Sequence, residues 1–139
     1  MVTGNVTGNS YVGLVTGAGN YAARIVGMGN VTGTEKLGGL IGGTCQNLYG
    51  GVYLGGTITG TGGNIGPILG IKTYGCTYDN TITSKASSTS IINGTAITDG
   101  VEATTLATIA PYNELGFNNS TLYTWYINES TGMIDFKIK

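Results

Sequence analysis

The sequence predicts an all-β fold: a parallel β-solenoid (β-helix) of about three rungs of about 25 residues, followed by a small C-terminal capping segment of one short helix and a β-hairpin. Three observations predict it. A Val/Ile-Thr-Gly phrase recurs at near-constant spacing along the first 83 residues. Glycine supplies 26 of 139 residues, and each glycine opposes helix by about 1 kcal/mol. The last residues, by contrast, read as two short alternating strands. Residues 1–83 are therefore assigned to the repeats and residues 84–139 to a cap of the same domain.

The phrase Asn5-Val6-Thr7-Gly8 returns as Asn30-Val31-Thr32-Gly33, then as Thr57-Ile58-Thr59-Gly60, and fades to Thr81-Ile82-Thr83-Ser84. Its apolar centre moves by 25, 27 and 24 residues. A second phrase follows the first three copies: Val12-Gly13-Leu14-Val15, Leu37-Gly38-Gly39-Leu40-Ile41 and Ile65-Gly66-Pro67-Ile68-Leu69. A third apolar position falls six residues before each next centre, at Ile25, Val52 and Cys76. Stacked by parallel pairing at about 4.8 Å, these copies place Val6/Val31/Ile58/Ile82, Val12/Leu37/Ile65 and Leu14/Leu40/Ile68 in inward columns. Pro67 has no amide donor and belongs at a corner or bulge. Handedness stays open.

After Ser84 the pattern changes. Residues 84–90 are polar and read as a loop, and Ile91-Ile92 and Ala96-Ile97 offer a last irregular rung. A short helix is expected over Glu102–Ala110, with Ala103, Leu106, Ile109 and Ala110 on one face and Pro111 as its stop. Tyr123–Ile127 and Ile134–Lys139 follow as strands, joined across Asn128–Gly132. A solenoid end exposes strand edges and apolar columns, so this segment is expected to cover one.

The stretch Gly38-Gly39-Leu40-Ile41-Gly42, with the Val-Thr-Gly refrain around it, resembles the GLUG motif of large secreted or surface-anchored bacterial proteins, including adhesin-like ones. The resemblance spans roughly residues 1–83, and Leu115-Gly116-Phe117 and Trp125 match the way such regions end. The first copy departs from the motif at Gly13 and Thr16, and the third carries Pro67 in place of the second glycine. The resemblance implies a cell-surface or secreted location and a role in binding or spacing, and it supplies no catalytic residues.

Composition narrows the function. Net charge is −1 and charged residues make up 9%, so there is no basic face for nucleic acid. The sequence has no His, which removes Cys/His zinc sites and Ser-His or Cys-His dyads. No apolar run approaches the ~20 residues of a membrane span, and no membrane insertion is expected. The first residues show no signal peptide and begin on the repeat phrase, which reads as a fragment of a longer protein. No cofactor or metal is expected. Leu14–Ala22 carries a dinucleotide-like G-x-G-x-x-A, but Gly27 and Gly29 would break the helix that this motif requires. Cys45 and Cys76 fall seven positions out of register, which points to buried thiols instead of a disulfide.

Two surface patterns carry binding hypotheses. Asn5, Thr7, Asn30, Thr32, Thr57, Thr59, Thr81 and Thr83 flank the inward Val/Ile centres and should form one outward Thr/Asn ladder. Such ladders serve ice-binding solenoids, and ordinary strand propensity also produces them. Nine tyrosines offer stacking surfaces, with Tyr49, Tyr53 and Tyr78 as the candidate contacts for a glycan or a host or cell-surface protein. Among the acids of the repeat, Glu35 and Asp79 sit in different phrases, so the alternative of a polysaccharide-active β-helix enzyme fragment lacks a carboxylate pair. The expected function is a non-catalytic module of a bacterial surface or secreted protein, an adhesin segment or stalk. End-to-end self-association through the N-terminal rung is expected as well.

Overall fold

The computed structural model describes residues 1–71, 77–83 and 106–139. Strands dominate: β1 (Val2–Thr3), β2 (Val6–Thr7), β3 (Ser10–Gly13), β4 (Gly19–Met28), β5 (Val31–Thr32), β6 (Glu35–Gly38), β7 (Cys45–Gly55), β8 (Ile58–Thr59), β9 (Ile65–Gly66) and β10 (Thr77–Thr83). They form three parallel sheets in the orders β1-β4-β7-β10, β2-β5-β8 and β3-β6-β9. Parallel neighbours need a long return path. Here that path runs through the other two sheets, so each pass of the chain adds one strand to each sheet in the same sequence.

Register follows the repeat phrase. Val6 lies beside Val31 and Val31 beside Ile58, while Val12, Leu37 and Ile65 form a second row. These two rows pack together, with Val31 and Leu37 fully buried. A second cluster gathers Leu40, Ile41, Leu48, Tyr53, Ile68 and Leu69 between the first sheet and the Gly38–Gly42 stretch. Each such side chain, fully buried, contributes about 1.5–3 kcal/mol. In the third row Val15, not Leu14, is Leu40's neighbour: Thr16 pairs with Ile41, and the Val15 amide donates to the Leu40 carbonyl at 3.0 Å. Leu14 stands where Gly39 does and still packs on the same cluster.

Glycine sets two of the corners. Gly4, Gly29 and Gly56 occupy equivalent positions with φ of 126°, 149° and 122°. A Cβ on Gly29 would overlap the Gly4 carbonyl, so no other residue fits. At the end of the Gly-Gly-Leu-Ile-Gly phrase, a Cβ on Gly42 would overlap the Val12 backbone.

The fourth copy of the refrain is misassigned by sequence alone. Ile82 pairs with Val52 in the first sheet, and Thr81 and Thr83 pair with Gly51 and Tyr53, not with Thr57 and Thr59. The column written as Ile25/Val52/Cys76 is in fact Val26/Val52/Ile82. A bulge causes the first slip. Gly27 pairs with Tyr53 but Met28 with Gly55, so Leu54 is an extra residue that shifts any count made backwards from Ile58. Cys76 lies outside the described residues. Cys45 is buried, and its Sγ–H donates to the Asn47 carbonyl at 3.2 Å.

The C-terminal segment departs from expectation twice. The helix α1 is Ala110–Glu114, with Ile109 as N-cap and Pro111 in its first turn. Pro111 opens a helix instead of closing one, because its missing N–H falls where no intrahelical acceptor exists. The expected span from Glu102, like residues 84–100, lies outside the described residues up to 105; residues 107–109 are turn and bend. A 3-10 turn (Phe117–Asn119) leads into the antiparallel pair β11 (Tyr123–Asn128) and β12 (Met133–Ile138), close to the predicted strands.

The described part of this segment, residues 106–139, packs on the flank of the first sheet. Val26 and Val52 point away from the Leu40/Leu48 cluster into a core with Leu106, Tyr112, Leu115, Phe117 and Ile134. Arg24 and Gly50, equivalent in β4 and β7, both have left-handed φ, 52° and 67°. That shared kink turns Val26 and Val52 to the outer face. A Cβ on Gly50 would sit 2.8 Å from the Leu115 carbonyl, so glycine also lets the cap approach.

Candidate functional site

The Thr/Asn ladder divides into a structural row and an exposed row. Asn5, Asn30 and Thr57 stand at one position of successive passes. The Asn5 Oδ1 accepts from the Asn30 amide at 3.0 Å, and the Asn30 Oδ1 accepts from the Thr57 amide at 2.9 Å and the Thr57 hydroxyl at 3.1 Å. These oxygens are committed to holding one pass on the next. Thr7, Thr32 and Thr59 pair directly across β2, β5 and β8 and are exposed. Three threonines, not four, make the row, since Thr81 and Thr83 belong to the first sheet. A parallel contact repeats one position group further on, where the Thr34 hydroxyl donates to the Asn9 Oδ1 at 2.8 Å.

The tyrosine cluster is not assembled as predicted. Tyr53 is fully buried, and its hydroxyl donates to the Gly29 carbonyl at 2.8 Å. It braces a corner from inside and cannot contact a ligand. Burial pushes its phenol pKa up to about 12. Tyr78 lies in β10, level with Leu48, while Tyr49 is level with Asp79. Tyr49 is exposed, and its ring packs against Tyr21 with centroids 5.9 Å apart. Tyr21 is 67% exposed and was missed as a candidate. Its signal was available: counting 26 residues from Tyr21 reaches Asn47, two positions from Tyr49 on the same strand.

A second aromatic surface lies on the hairpin. Tyr123 is opposite Ile138 and Trp125 opposite Phe136, so all four share one face. Its inner end, Trp125, meets Phe117 edge to face with centroids 4.9 Å apart. Its outer end exposes Leu122 (64%) and Ile138 (78%).

Charge is sparse and locally paired. Glu35 holds Lys36 at 3.0 Å and accepts from the Ser10 hydroxyl at 3.4 Å. That carboxylate, then the Tyr11 side chain, raises the Lys36 pKa above its ordinary value. Asp135 is lowered, first by the Phe136 amide and then by the Asn128 side chain. Glu35 and Asp79 lie in different sheets. Residues 19–28, where a nucleotide-binding helix would run, form a strand. A small cavity of about 130 Å³ lies between Met28, Leu54, Leu106 and Met133, below the roughly 300 Å³ of small-molecule pockets. Among the described residues no group of His, Cys, Asp and Glu is placed to hold a metal ion, and no helix is long and apolar enough to cross a membrane.

Comparison with family models, with curated proteins and with solved structures gave no match.

Proposed function

We propose that the three parallel sheets are the faces of one β-solenoid, and that the chain is a non-catalytic repeat module of a bacterial cell-surface or secreted protein, an adhesin segment or stalk. The observation that carries this reading is the pass-by-pass repetition of all three parallel sheets, in register but for the bulge at Leu54. A unit whose every pass seats on the one before extends by adding passes, so length scales with copy number while stiffness is kept. The nearly uncharged surface, rich in Thr and Asn, suits weak contacts over electrostatic steering. The GLUG resemblance adds a surface location. Where the module binds, the contact surface is the Tyr21–Tyr49 pair, which can stack on a sugar or a protein side chain.

Protease shaving of intact cells that carry the parent protein tests the location. Release of the repeat region supports the reading, and a protein found only in the cytosol overturns it. A glycan and protein array then separates binder from spacer. A binder gives a saturable ligand lost in Tyr21→Ala and Tyr49→Ala, and a spacer gives none.

One observation favours a second reading, ice binding: the exposed, directly paired Thr7, Thr32 and Thr59. It predicts thermal hysteresis that falls when Thr32 is replaced by Tyr.

A further inference from the structure

We infer that the outer flank of the first sheet, beside the cap, is a site for a carboxylated sugar of a glycan: Tyr21 and Tyr49 stack on the sugar and the Arg24 guanidinium takes the carboxylate. The inference rests on the binding branch of the module reading, in which the Tyr21–Tyr49 pair is the contact surface, and adds the class of ligand.

The argument starts from a cation without a partner. Among the described cationic side chains, Lys36 is held by Glu35 and lies over the Tyr11 ring. Lys137 lies over the Tyr126 ring at 5.9 Å, and the Lys139 ammonium donates to the Ser120 carbonyl at 2.8 Å. Arg24 is exposed and makes no hydrogen bond, ion pair or ring contact among the described residues. Its backbone is left-handed, φ 52°, a conformation that is costly for any side chain. The next pass places Gly50 at the same point. Tyr11 and Lys36 share the conformation, and each holds the other. Nothing in the described fold accounts in that way for an arginine at position 24.

Arg24 stands where two surfaces meet. It is level with Gly50, one residue from Tyr49, and three residues along β4 from Tyr21. On the cap side, its Nε is 3.9 Å from the point a Cβ on Gly116 would occupy, and the Asn119 Nδ2 is 3.4 Å from that point. Gly116 has no side chain to fill this step. The step therefore has an aromatic floor and a wall edged by a guanidinium and a carboxamide. The two phenol rings are inclined at 49° and do not form one flat platform. They suit a glycan, whose successive rings turn about the glycosidic bond.

The chemistry fits an acidic sugar. A guanidinium is a planar fork of donors that matches both oxygens of a carboxylate. Phenol rings pack on the apolar C–H face of a sugar and keep their hydroxyls for polar contacts. Asn47 is level with Tyr21, and its Oδ1 accepts from the Tyr49 hydroxyl at 3.5 Å, which leaves its NH2 group for sugar hydroxyls. Asp79 is level with Tyr49 in β10, on the far side of β7 from Arg24. An acid at that register position directs the ligand carboxylate to the β4 side.

NMR titration of the full 139-residue chain with sialyllactose and with trigalacturonate reads the site, with lactose as the neutral control. The two acidic probes separate a terminal carboxylated sugar from one within a chain. At least one should give saturable shifts at the Tyr21, Arg24 and Tyr49 amides, weakened by added salt. Lactose should bind at least about tenfold more weakly. Arg24→Gly should raise Kd at least about tenfold and leave the melting temperature unchanged or higher, because glycine suits the left-handed backbone. Arg24→Lys keeps the charge without the fork and should bind between the two. The proposal is overturned if neither acidic probe shifts those amides, if lactose or a tetraglutamate peptide binds as tightly, or if Arg24→Gly binds as before. Equal binding of lactose at Tyr21 and Tyr49 would leave the module a binder and remove only the carboxylate.

Discussion

Lys36 lies one pass above Tyr11 at the same position, and its Nζ sits 4.6 Å above the Tyr11 ring centroid. Both residues have left-handed φ, 59° for Tyr11 and 55° for Lys36, and Asn64 continues the column at 64°. The shared left-handed backbone of Tyr11 and Lys36 accompanies this approach. Only Asn64 is of a type that favours this conformation. Asn64→Gly should therefore be more stable than Asn64→Ala by about 1 kcal/mol, the reverse of the order in an ordinary strand. Chemical denaturation of the two variants measures it.

Tyr53→Phe keeps the buried ring and removes only the bond to the Gly29 carbonyl. The expected loss is about 1 kcal/mol, with the Gly29 oxygen left unpaired. Tyr53→Ala opens a cavity and should cost about 3–5 kcal/mol. If Tyr53 were instead a surface contact, both changes would leave the denaturation midpoint in place.

Asn30→Ala removes the acceptor for the Thr57 amide and hydroxyl and should lower stability by about 1–2 kcal/mol. Thr32→Val, two residues away on the exposed row, should change it by less than about 0.5 kcal/mol. Equal effects from the two would contradict the division of the ladder into structural and exposed rows.

The Tyr53 and Tyr112 phenols are both pushed up to about 12 by burial. Each favours the protonated form when folded, so its contribution is fully present below pH about 10 and is lost as pH rises toward 12. A phenolate absorbance titration should show Tyr53 and Tyr112 ionising late, together with unfolding. In Tyr53→Phe one late step should disappear.

Most of the fold was legible, and the failures have local causes. The Val6/Val31/Ile58 and Val12/Leu37/Ile65 rows could be read because strands of only two to four residues leave little room for register to drift. The first sheet drifted because β7 carries an extra residue at Leu54, and no periodicity marks a bulge. The flank core was missed because one buried face per strand was assumed. Ile25-Val26 and Val52-Tyr53 are adjacent apolar pairs, the mark of a strand buried on both faces. Tyr53 was misjudged for the same reason. Pro111 was read as a stop because sequence does not distinguish a proline that ends a helix from one in its first turn.

The central claim is that successive passes lie parallel and in register. Trans-hydrogen-bond couplings between amide nitrogen and carbonyl carbon, measured by NMR, report it directly. The structure predicts couplings from the Val6 amide to the Asn30 carbonyl and from the Val31 amide to the Thr57 carbonyl. Couplings that instead join Val31 to a partner in antiparallel order, or within its own pass, would contradict the account.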